Sequence, residues 1–586
     1  MKKILIPLLA MLFLLLPTRA QVADRENLSN DKCYLLTRLP AQADTCGTVY
    51  YTAEQNTACV KADISEDDNC RWAIWHQEKD DLYFLYNLGA GRFLSADGTS
   101  CPLTSEAVPV ELYYLEECSA WLIECQGFTV GLHPKKSLSS AFLSDISASA
   151  DNGFLFSITE AARTLTEEEK NIIGNAVASH RQATIQALHS FVKKAEAIAA
   201  DGKDNYAGNY DCTALKTALE EADNKTLEEL ENLYTAARRS GLPQAGKYYR
   251  LRNYVRPVRN ALLTVKKQGE EYYMMAENFD SAAPGNSGDR IEDLCLFRLE
   301  ATDTDTVFHI CAAGPDKYFG GSGNGGSLPL TDREHSVSYR LIDRLDKGSR
   351  LFQLQNAAPH NQLYVTVNGV NRLVSYNQQE DPELWYFEEV RNIDNIRIGN
   401  SGYATLCLPC PVELPAAEDF TAYIVTEDKD ETVVLQPLRT DILPAYTPVI
   451  LYREAGAGTF SLPIASADAE PAAGNLLSGT TARTDLTTSD YILTSKSSHG
   501  VGLYLVTATN DLTLAANKAY LRGKSVTKTA KAFRLGSDNT TTGITDAATT
   551  TSAQEDALLY DLSGRRTDRP AKGIFINTKR QKVLIR

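Results

Sequence analysis

One pattern constrains this chain more than any other: a two-residue beat of rings and branched aliphatics, set down twice in the same order around a helical stretch. The first occurrence opens with Lys32-Cys33-Tyr34-Leu35-Leu36-Thr37-Arg38 and the second with Lys247-Tyr248-Tyr249-Arg250-Leu251-Arg252-Asn253. Cys70-Arg71-Trp72-Ala73-Ile74 is answered by Cys295-Leu296-Phe297-Arg298-Leu299, and Gly91-Arg92-Phe93-Leu94-Ser95 by Asp316-Lys317-Tyr318-Phe319-Gly320. The segments close on Phe156-Ser157-Ile158-Thr159-Glu160 and Trp385-Tyr386-Phe387-Glu388-Glu389. Trp72 and Phe156 stand 84 positions apart, Phe297 and Trp385 88, so order and spacing agree and a duplicated domain is implied. Residues i and i+2 of a strand face the same way. Trp72/Ile74, Trp121/Ile123 and Phe156/Ile158 in the first copy should therefore enter one core, as should Phe297/Leu299, Phe352/Leu354 and Trp385/Phe387 in the second. Three such strands per copy, parted by turn-rich stretches such as Gly89-Ala90-Gly91 and Gly320 to Gly326, predict a threefold all-β unit; a two-sheet sandwich is the competing architecture.

Between the copies, over 164–241, the period changes from two to 3.6. Ile172, Ile173, Ala176, Val177, Ala183, Ala187, Leu188, Phe191, Ala195 and Ile198 make one apolar stripe. Leu215, Ala218, Leu219 and Ala222 make a second, and Leu227, Leu230, Leu233, Tyr234 and Ala237 a third. Thr166-x-x-Glu169 and Thr226-x-x-Glu229 are capping boxes at the helix starts, and Gly241-Leu242-Pro243 ends the last helix. A small antiparallel helical bundle acting as a spacer is expected.

The duplicated segments, 32–161 and 247–391, resemble the ricin-type β-trefoil. Gly91-Arg92-Phe93-Leu94-Ser95-Ala96-Asp97-Gly98 is similar to that family's first repeat element, and Tyr376, followed nine residues later by Trp385, to its aromatic and its Gln-x-Trp strand. The resemblance implies two β-trefoil-like domains and glycan binding, in which an aromatic face stacks on the sugar ring while polar groups grip its hydroxyls. Tyr376, with Asn377 and Gln378 beside it, is the candidate ligand site. The family's clamping Asp is missing where the repeats align, Ser95, Gly320 and Thr366 standing there instead. The fold can therefore carry over without the lectin site, and trefoil core and rim alone would account for Tyr376. Trp72, Trp121 and Trp385 fall in the repeated triplets and read as core; only Trp75 lies outside the pattern.

Both ends of the chain carry export features. Lys2 and Lys3, the apolar run Ile4 to Leu16, and Pro17-Thr18-Arg19-Ala20 read as a signal peptide over 1–20, cleaved before Gln21. No Cys follows the apolar run, which argues against a lipid-modified N-terminus, and no later stretch is long and apolar enough to span a bilayer. Residues 393–536 read as a β-rich, sandwich-like domain with strands at Thr405–Leu414, Thr421–Thr426, Thr432–Leu438, Pro448–Tyr452, Tyr491–Thr494, Gly502–Val506 and Ala519–Leu521. It looks like the β domain found near the ends of proteins of bacteria with type IX secretion. Residues 537–556, rich in Thr, Ala, Ser and Asp, form a polar linker. The tail 557–586, with Leu559-Tyr560-Asp561-Leu562-Ser563-Gly564-Arg565-Arg566, Gly573-Ile574-Phe575-Ile576 and Lys582-Val583-Leu584-Ile585-Arg586, resembles the end of the type IX C-terminal sorting signal. That resemblance implies the type IX export machinery as a partner and an extracellular or outer-surface location. A plain C-terminal β-hairpin is the alternative.

Local motifs offer little to an enzyme. Gly321-Ser322-Gly323-Asn324-Gly325-Gly326 fits G-x-G-x-x-G, but Ser327-Leu328-Pro329-Leu330 follows instead of the helix a phosphate cradle needs, so a flexible β-turn is expected. Cys407-Leu408-Pro409-Cys410 lies in strand-like surroundings, away from the helix N-terminus that lowers a thiol pKa. His180 and His189 fall on opposite sides of a helix and cannot share a metal. No H-E-x-x-H, G-x-S-x-G or Walker A sequence is present. The formal charge of −16 argues against nucleic acid as a partner. Twelve Cys, seven of them (Cys33, Cys46, Cys59, Cys70, Cys101, Cys118 and Cys125) in the first copy, favour disulfides in an exported chain. The expectation is a non-catalytic secreted or surface binding protein with no cofactor and no metal, recognising glycans. Alternatives are a structural or protein-binding adhesin contacting a host surface protein, and a hydrolase with a dispersed site.

Overall fold

The structure is a computed structural model. It describes residues 25–38, 49–54, 57–61, 67–97, 100–116, 119–131, 142–143, 155–268, 271–278, 295–358, 362–377, 381–429, 431–467, 469–496, 500–507, 513–527, 530–537, 559–560, 566–567, 573–577 and 582–585. The predicted signal peptide and nearly all of the linker lie outside them. The chain divides into two compact units, Met1–Gly202 with Asn209–Gly241, and Lys203–Gly208 with Leu242–Arg586.

In the first unit, twelve strands run from β1 (Lys32–Arg38) through β2 (Val49–Glu54), β3 (Thr57–Lys61), β4 (Trp72–Gln77), β5 (Leu82–Asn87), β6 (Arg92–Leu94), β7 (Leu103–Thr104), β8 (Pro109–Leu115), β9 (Ala120–Cys125), β10 (Phe128–Gly131) and β11 (Phe142–Leu143) to β12 (Phe156–Thr164). Strand β1 pairs with β4, β4 with β5, β5 with β8, β8 with β9, β9 with β12, and β12 returns to β1. That is a closed six-stranded barrel. The remaining strands form three hairpins, β2–β3, β6–β7 and β10–β11, one per four-strand repeat. This arrangement is a β-trefoil.

The second unit repeats it in β13 (Tyr248–Asn253), β14 (Ala261–Gln268), β15 (Glu271–Glu277), β16 (Phe297–Ala301), β17 (Val307–Ala312), β18 (Lys317–Phe319), β19 (Leu330–Thr331), β20 (Tyr339–Asp343), β21 (Phe352–Asn356), β22 (Tyr364–Val367), β23 (Leu373–Tyr376) and β24 (Leu384–Glu389). Strands β13, β16, β17, β20, β21 and β24 close the ring, and β14–β15, β18–β19 and β22–β23 are the hairpins.

All six predicted triplets lie inside these barrels. They are only half of the rule, because every barrel strand carries one inward pair. In the first barrel Tyr34/Leu36, Tyr83/Leu85 and Val110/Leu112 complete the set. In the second, Tyr249/Leu251, Ile310/Ala312 and Tyr339/Leu341 do. In each trefoil the sequence triplets fall on the fourth strand of the first repeat and on the first and fourth strands of the third, so they are not threefold equivalents. Val110/Leu112 and Ile310/Ala312 contain no ring, which hides them from a search for aromatics.

Helices α1 (Glu167–Ala199), α2 (Thr213–Glu220) and α3 (Leu227–Ser240) belong to the first unit. Both capping boxes form, Thr166 Oγ1 accepting from Glu169 N at 3.2 Å and Thr226 Oγ1 from Glu229 N at 3.1 Å. The stripe on α1 differs from the apolar reading. Ile172, Ala183 and Ala187 are exposed, while Ile185, Val192 and Arg181 are buried. Arg181 takes an apolar position because it is paired with Asp80, a fully buried side chain in the β4–β5 turn. Its guanidinium also donates to the Ala222 and Lys225 carbonyls at 2.7 Å each, and Asp80 accepts the Leu227 N–H at 2.7 Å at the start of α3. One ion pair thus joins a barrel turn to two helices. Trp75, the ring outside the triplet pattern, faces out of the barrel and lies 3.5 Å from where a Cβ on Gly174 of α1 would sit.

The second trefoil shares a core with the β-rich domain that follows it, Tyr248, Leu296, Ala313 and Val390 packing with Ile393, Ile396, Leu406 and Leu451. That domain is built on a nine-stranded sheet running from Tyr403–Leu406 to Leu477–Thr480, accompanied by two-stranded ribbons. The expected strand Thr405–Leu414 is broken: it ends at Leu406, and Cys407–Pro411 turns before Val412–Glu413, since Pro409 and Pro411 offer no N–H to a ladder. Strands Asn392–Ile398, Gly458–Pro463, Leu477–Thr480 and Ala532–Ser537 were not legible in the sequence. At the C-terminus, Gly573–Asn577 and Lys582–Ile585 pair antiparallel.

Substituting Arg181→Ala strands a buried carboxylate, and the cost is expected at about 3–5 kcal/mol. Denaturant unfolding monitored on the first unit checks this, with Thr217→Ala, an exposed position on α2, expected to stay within about 0.5 kcal/mol of the parent chain.

Candidate functional site

The candidate residues fall on the third hairpin of the second trefoil. Tyr376 ends β23 opposite Tyr364 of β22, with its side chain half-buried, and Asn377 is exposed just beyond it. Gln378 lies outside the described residues. Tyr364 is held from below by Gln355, whose Nε2 donates to its hydroxyl at 3.2 Å.

Next to Tyr376 the structure places something unexpected, the Gly321–Gly326 loop. The sequence predicts a flexible turn there, but the loop is pinned along β23. Gly325 N donates to Ser375 O at 2.7 Å, Ser375 N to Gly326 O at 3.0 Å and Leu328 N to Leu373 O at 3.0 Å, while the Ser322 and Ser375 hydroxyls meet at 2.9 Å. Gly325 has φ of +77° and Gly326 lies 2.9 Å, at its would-be Cβ, from Gly323 O, so the tight path requires glycine at both positions. The glycines serve a β-turn and no phosphate-binding helix follows. Asn324, in the middle of the loop, accepts the Asn377 N–H on Oδ1 at 3.1 Å. Tyr376, Asn377 and the Asn324 amide therefore come together on one rim. Asn324 was missed as a site residue because it stands 53 positions from Asn377.

The three positions aligned with the missing clamp offer no carboxylate in the structure either. Ser95 is buried and its hydroxyl donates to Gln126 Oε1 at 3.1 Å. Thr366 is buried within the hairpin itself, on β22 opposite Val374. At Gly320 a Cβ would meet Thr331 Cγ2 at 2.5 Å and Pro329 Cγ at 2.9 Å, so no side chain fits there. What this rim can do is stack one phenol face and offer amide donors and acceptors around it.

A serine–histidine contact elsewhere in this trefoil escaped the sequence reading. Ser336 Oγ lies 2.8 Å from His309 Nδ1 and donates to Arg333 O at 2.7 Å. Its single proton goes to that carbonyl, so the imidazole is the donor to Oγ, which is the reverse of a base activating a nucleophile. Burial and the nearby Arg333 cation hold the His309 pKa below its ordinary value. The neighbouring Glu300 carboxylate is occupied by Tyr318 Oη at 2.6 Å, Arg298 Nη2 at 2.7 Å and Arg333 Nε at 2.9 Å. Among the described residues no three His, Cys, Asp or Glu side chains are placed to hold a metal. No helix among them is long and apolar enough to cross a membrane, which says nothing about strands.

For seven described cysteines the structure differs from the disulfide expectation: Cys33, Cys101, Cys125, Cys212, Cys311, Cys407 and Cys410 are buried thiols, while Cys46, Cys118 and the side chain of Cys59 lie outside the described residues. In place of cross-links they serve as small apolar fillers: Cys101 and Cys125 sit among the interior side chains of the first barrel and Cys410 in the core shared by the second trefoil and its neighbour. Burial pushes the Cys101, Cys125, Cys311 and Cys407 thiols up to about 12 and Cys410 higher still, so the C-x-x-C pair has none of the low-pKa character of a redox couple.

No protein-family model matches the chain. No curated protein matches it either. Among solved structures it is similar to a Polyporus squamosus lectin bound to a human-type influenza-binding epitope, at 12% identity over 26% of this chain and 52% of that one, with a TM-score of 0.21. It is also similar to the BEL β-trefoil, at 15% identity over 25% of this chain and 97% of that one (TM-score 0.20), and to a mosquitocidal holotoxin, at 9% identity over 83% and 51% (TM-score 0.22). This chain spans about half the length of the lectin and of the holotoxin. The trefoil assignment rests on the strand pairing, which closes both barrels without help from these likenesses.

The buried thiols give a direct check. A disulfide-exchange reagent at pH 7–9 is expected to leave Cys101, Cys125, Cys311 and Cys407 unmodified in the native chain and to label them once it is denatured, because a thiol raised to about 12 supplies almost no thiolate in that range. Native labelling at Cys101 or Cys407, mapped by mass spectrometry, would contradict the assignment.

Proposed function

We propose that this chain is a non-catalytic binding protein displayed on or released from the cell surface, and that it takes glycans on the rim of its second trefoil. The setting of Tyr376 carries the reading. A half-buried ring at a strand end is flanked by Asn377 and by the Asn324 amide on a hydrogen-bonded loop, the ring-plus-amide chemistry that a sugar face and its hydroxyls need. The barrel interior supports it as well, since side chains fill it and ligand contact is left to the hairpins. The export features belong to the same proposal: removal of residues 1–20, delivery by the type IX machinery through the 557–586 tail, and an extracellular or outer-surface destination.

A protein-binding adhesin is the second reading, favoured by two observations. No carboxylate stands at Ser95, Gly320 or Thr366, and Tyr113, Leu115, Phe128 and Val370 expose apolar surface.

A glycan array probed with the mature chain tests the first reading. Binding to at least one glycan is expected, weakened about tenfold (about 1.4 kcal/mol) by Tyr376→Ala. Binding to no glycan, with binding to a host surface protein retained, would favour the adhesin. For export, the secreted chain is expected to begin at Gln21, and a chain lacking 557–586 to remain inside the outer membrane; N-terminal sequencing and cell fractionation check both.

A further inference from the structure

We infer that the rim at Tyr376 selects sugars carrying an acetamido group and that Asn324 makes the choice, a selectivity that rests on the glycan reading of this rim. One end of the Asn324 amide is already in use. Its Oδ1 accepts the Asn377 N–H at 3.1 Å, on the peptide that follows Tyr376 at the end of β23. An amide carries its acceptor and its two donors on opposite arms of one plane, so anchoring the oxygen leaves Nδ2 pointing away. Asn324 is exposed, and Nδ2 bonds to none of the described residues. The rim therefore presents an N–H donor of fixed direction beside the half-buried Tyr376 ring.

The loop holds that donor in place before any ligand arrives. Ser322 Oγ donates to Gly326 O at 2.9 Å, closing the chain around Asn324, and meets the buried Ser375 hydroxyl at 2.9 Å. Gly325 N donates to Ser375 O at 2.7 Å and Ser375 N to Gly326 O at 3.0 Å, so side-chain and backbone bonds both tie the loop to β23. A donor positioned in this way is preorganised. The exposed Asn377 side chain has no such anchor among the described residues, so its amide is free to turn either arm outward. Direction on this rim comes from Asn324.

A fixed donor calls for a group that only accepts. Sugar hydroxyls donate as well as accept, and the carboxylate that would take a pair of their protons is missing, Thr366 standing at the aligned position of this hairpin. An acetamido group supplies what a hydroxyl lacks. Its carbonyl oxygen is a pure acceptor for Asn324 Nδ2, and its methyl lies in the same plane, where it can rest against the face of Tyr376. A protonated amine at the same carbon would set donors against a donor and cost its own solvation. The rim thus ranks acetamido first, hydroxyl second and ammonium last.

Binding of the full chain to carrier proteins bearing N-acetylglucosamine or N-acetylgalactosamine tests this, beside carriers bearing the 2-hydroxy and 2-amino counterparts, at about pH 6 so that the amines are protonated. At least one acetamido sugar is expected to bind about tenfold more tightly than both of its counterparts. Asn324→Asp is nearly isosteric and keeps an oxygen for the Asn377 N–H, exchanging only the outward donor for an acceptor. In that variant the acetamido sugar should weaken about tenfold and the ammonium sugar should overtake it. Misfolding would lower all three together and could not reverse their order. Binding without an acetamido preference, or a preference unchanged by Asn324→Asp, would overturn the selectivity and leave the glycan reading standing. Binding to no sugar on these carriers or on the glycan array would overturn both.

Discussion

Closure of the barrel is the constraint from which the rest of the structure follows. Once six strands join into a ring, every second residue on each strand must enter one shared interior, and the volume there admits only rings and branched or small aliphatics. The two barrels solve that packing with different residues: Tyr34, Trp72, Tyr83, Trp121 and Phe156 fill one, while Tyr249, Phe297, Tyr339, Phe352, Trp385 and Phe387 fill the other. The intervening positions must face out. Outward residues near the barrel are therefore available for a second purpose, packing a helix in the case of Trp75 and meeting the Tyr206 and Tyr254 rings edge to face in the case of Tyr386.

The same constraint assigns chemistry to the edges. With the interiors filled, polar groups collect at turns and hairpins, where backbone hydrogen bonds hold them. Asp80 in a barrel turn anchors two helices through Arg181, and the Gly321–Gly326 loop carries Asn324 to Tyr376. Both are long-range arrangements fixed by backbone geometry, and both place a polar side chain where burial or pinning limits its freedom. The thiols fit the same picture from the opposite side: Cys101, Cys125 and Cys410 behave in the cores as small apolar residues.

Much of this was legible in the sequence. The two-residue beat located six of the twelve inward pairs, its duplication matched β1 to β13, β4 to β16, β6 to β18 and β12 to β24, and the capping boxes marked two helix starts. What stayed hidden has identifiable causes. Val110/Leu112 and Ile310/Ala312 carry the barrel pattern without a ring. Arg181 sits on an apolar stripe because its partner is 101 positions away, and helical periodicity cannot see a distant charge. Asn324 reaches the Tyr376 rim only through the pairing of a glycine loop with β23, and the contacts of Tyr386 with Tyr206 and Tyr254 join residues that no local motif connects. Local patterns report local faces; sites assembled across a barrel need the closure itself.

Native-state hydrogen exchange on Trp385→Ala tests that closure most directly. If six strands share one ring and one core, removal of this interior ring should cost about 3–5 kcal/mol and lower protection together in β13, β16, β17, β20, β21 and β24. Loss of protection confined to β24 and its partners β13 and β21, with β16, β17 and β20 unchanged, would show an open sheet in place of a barrel and contradict the account.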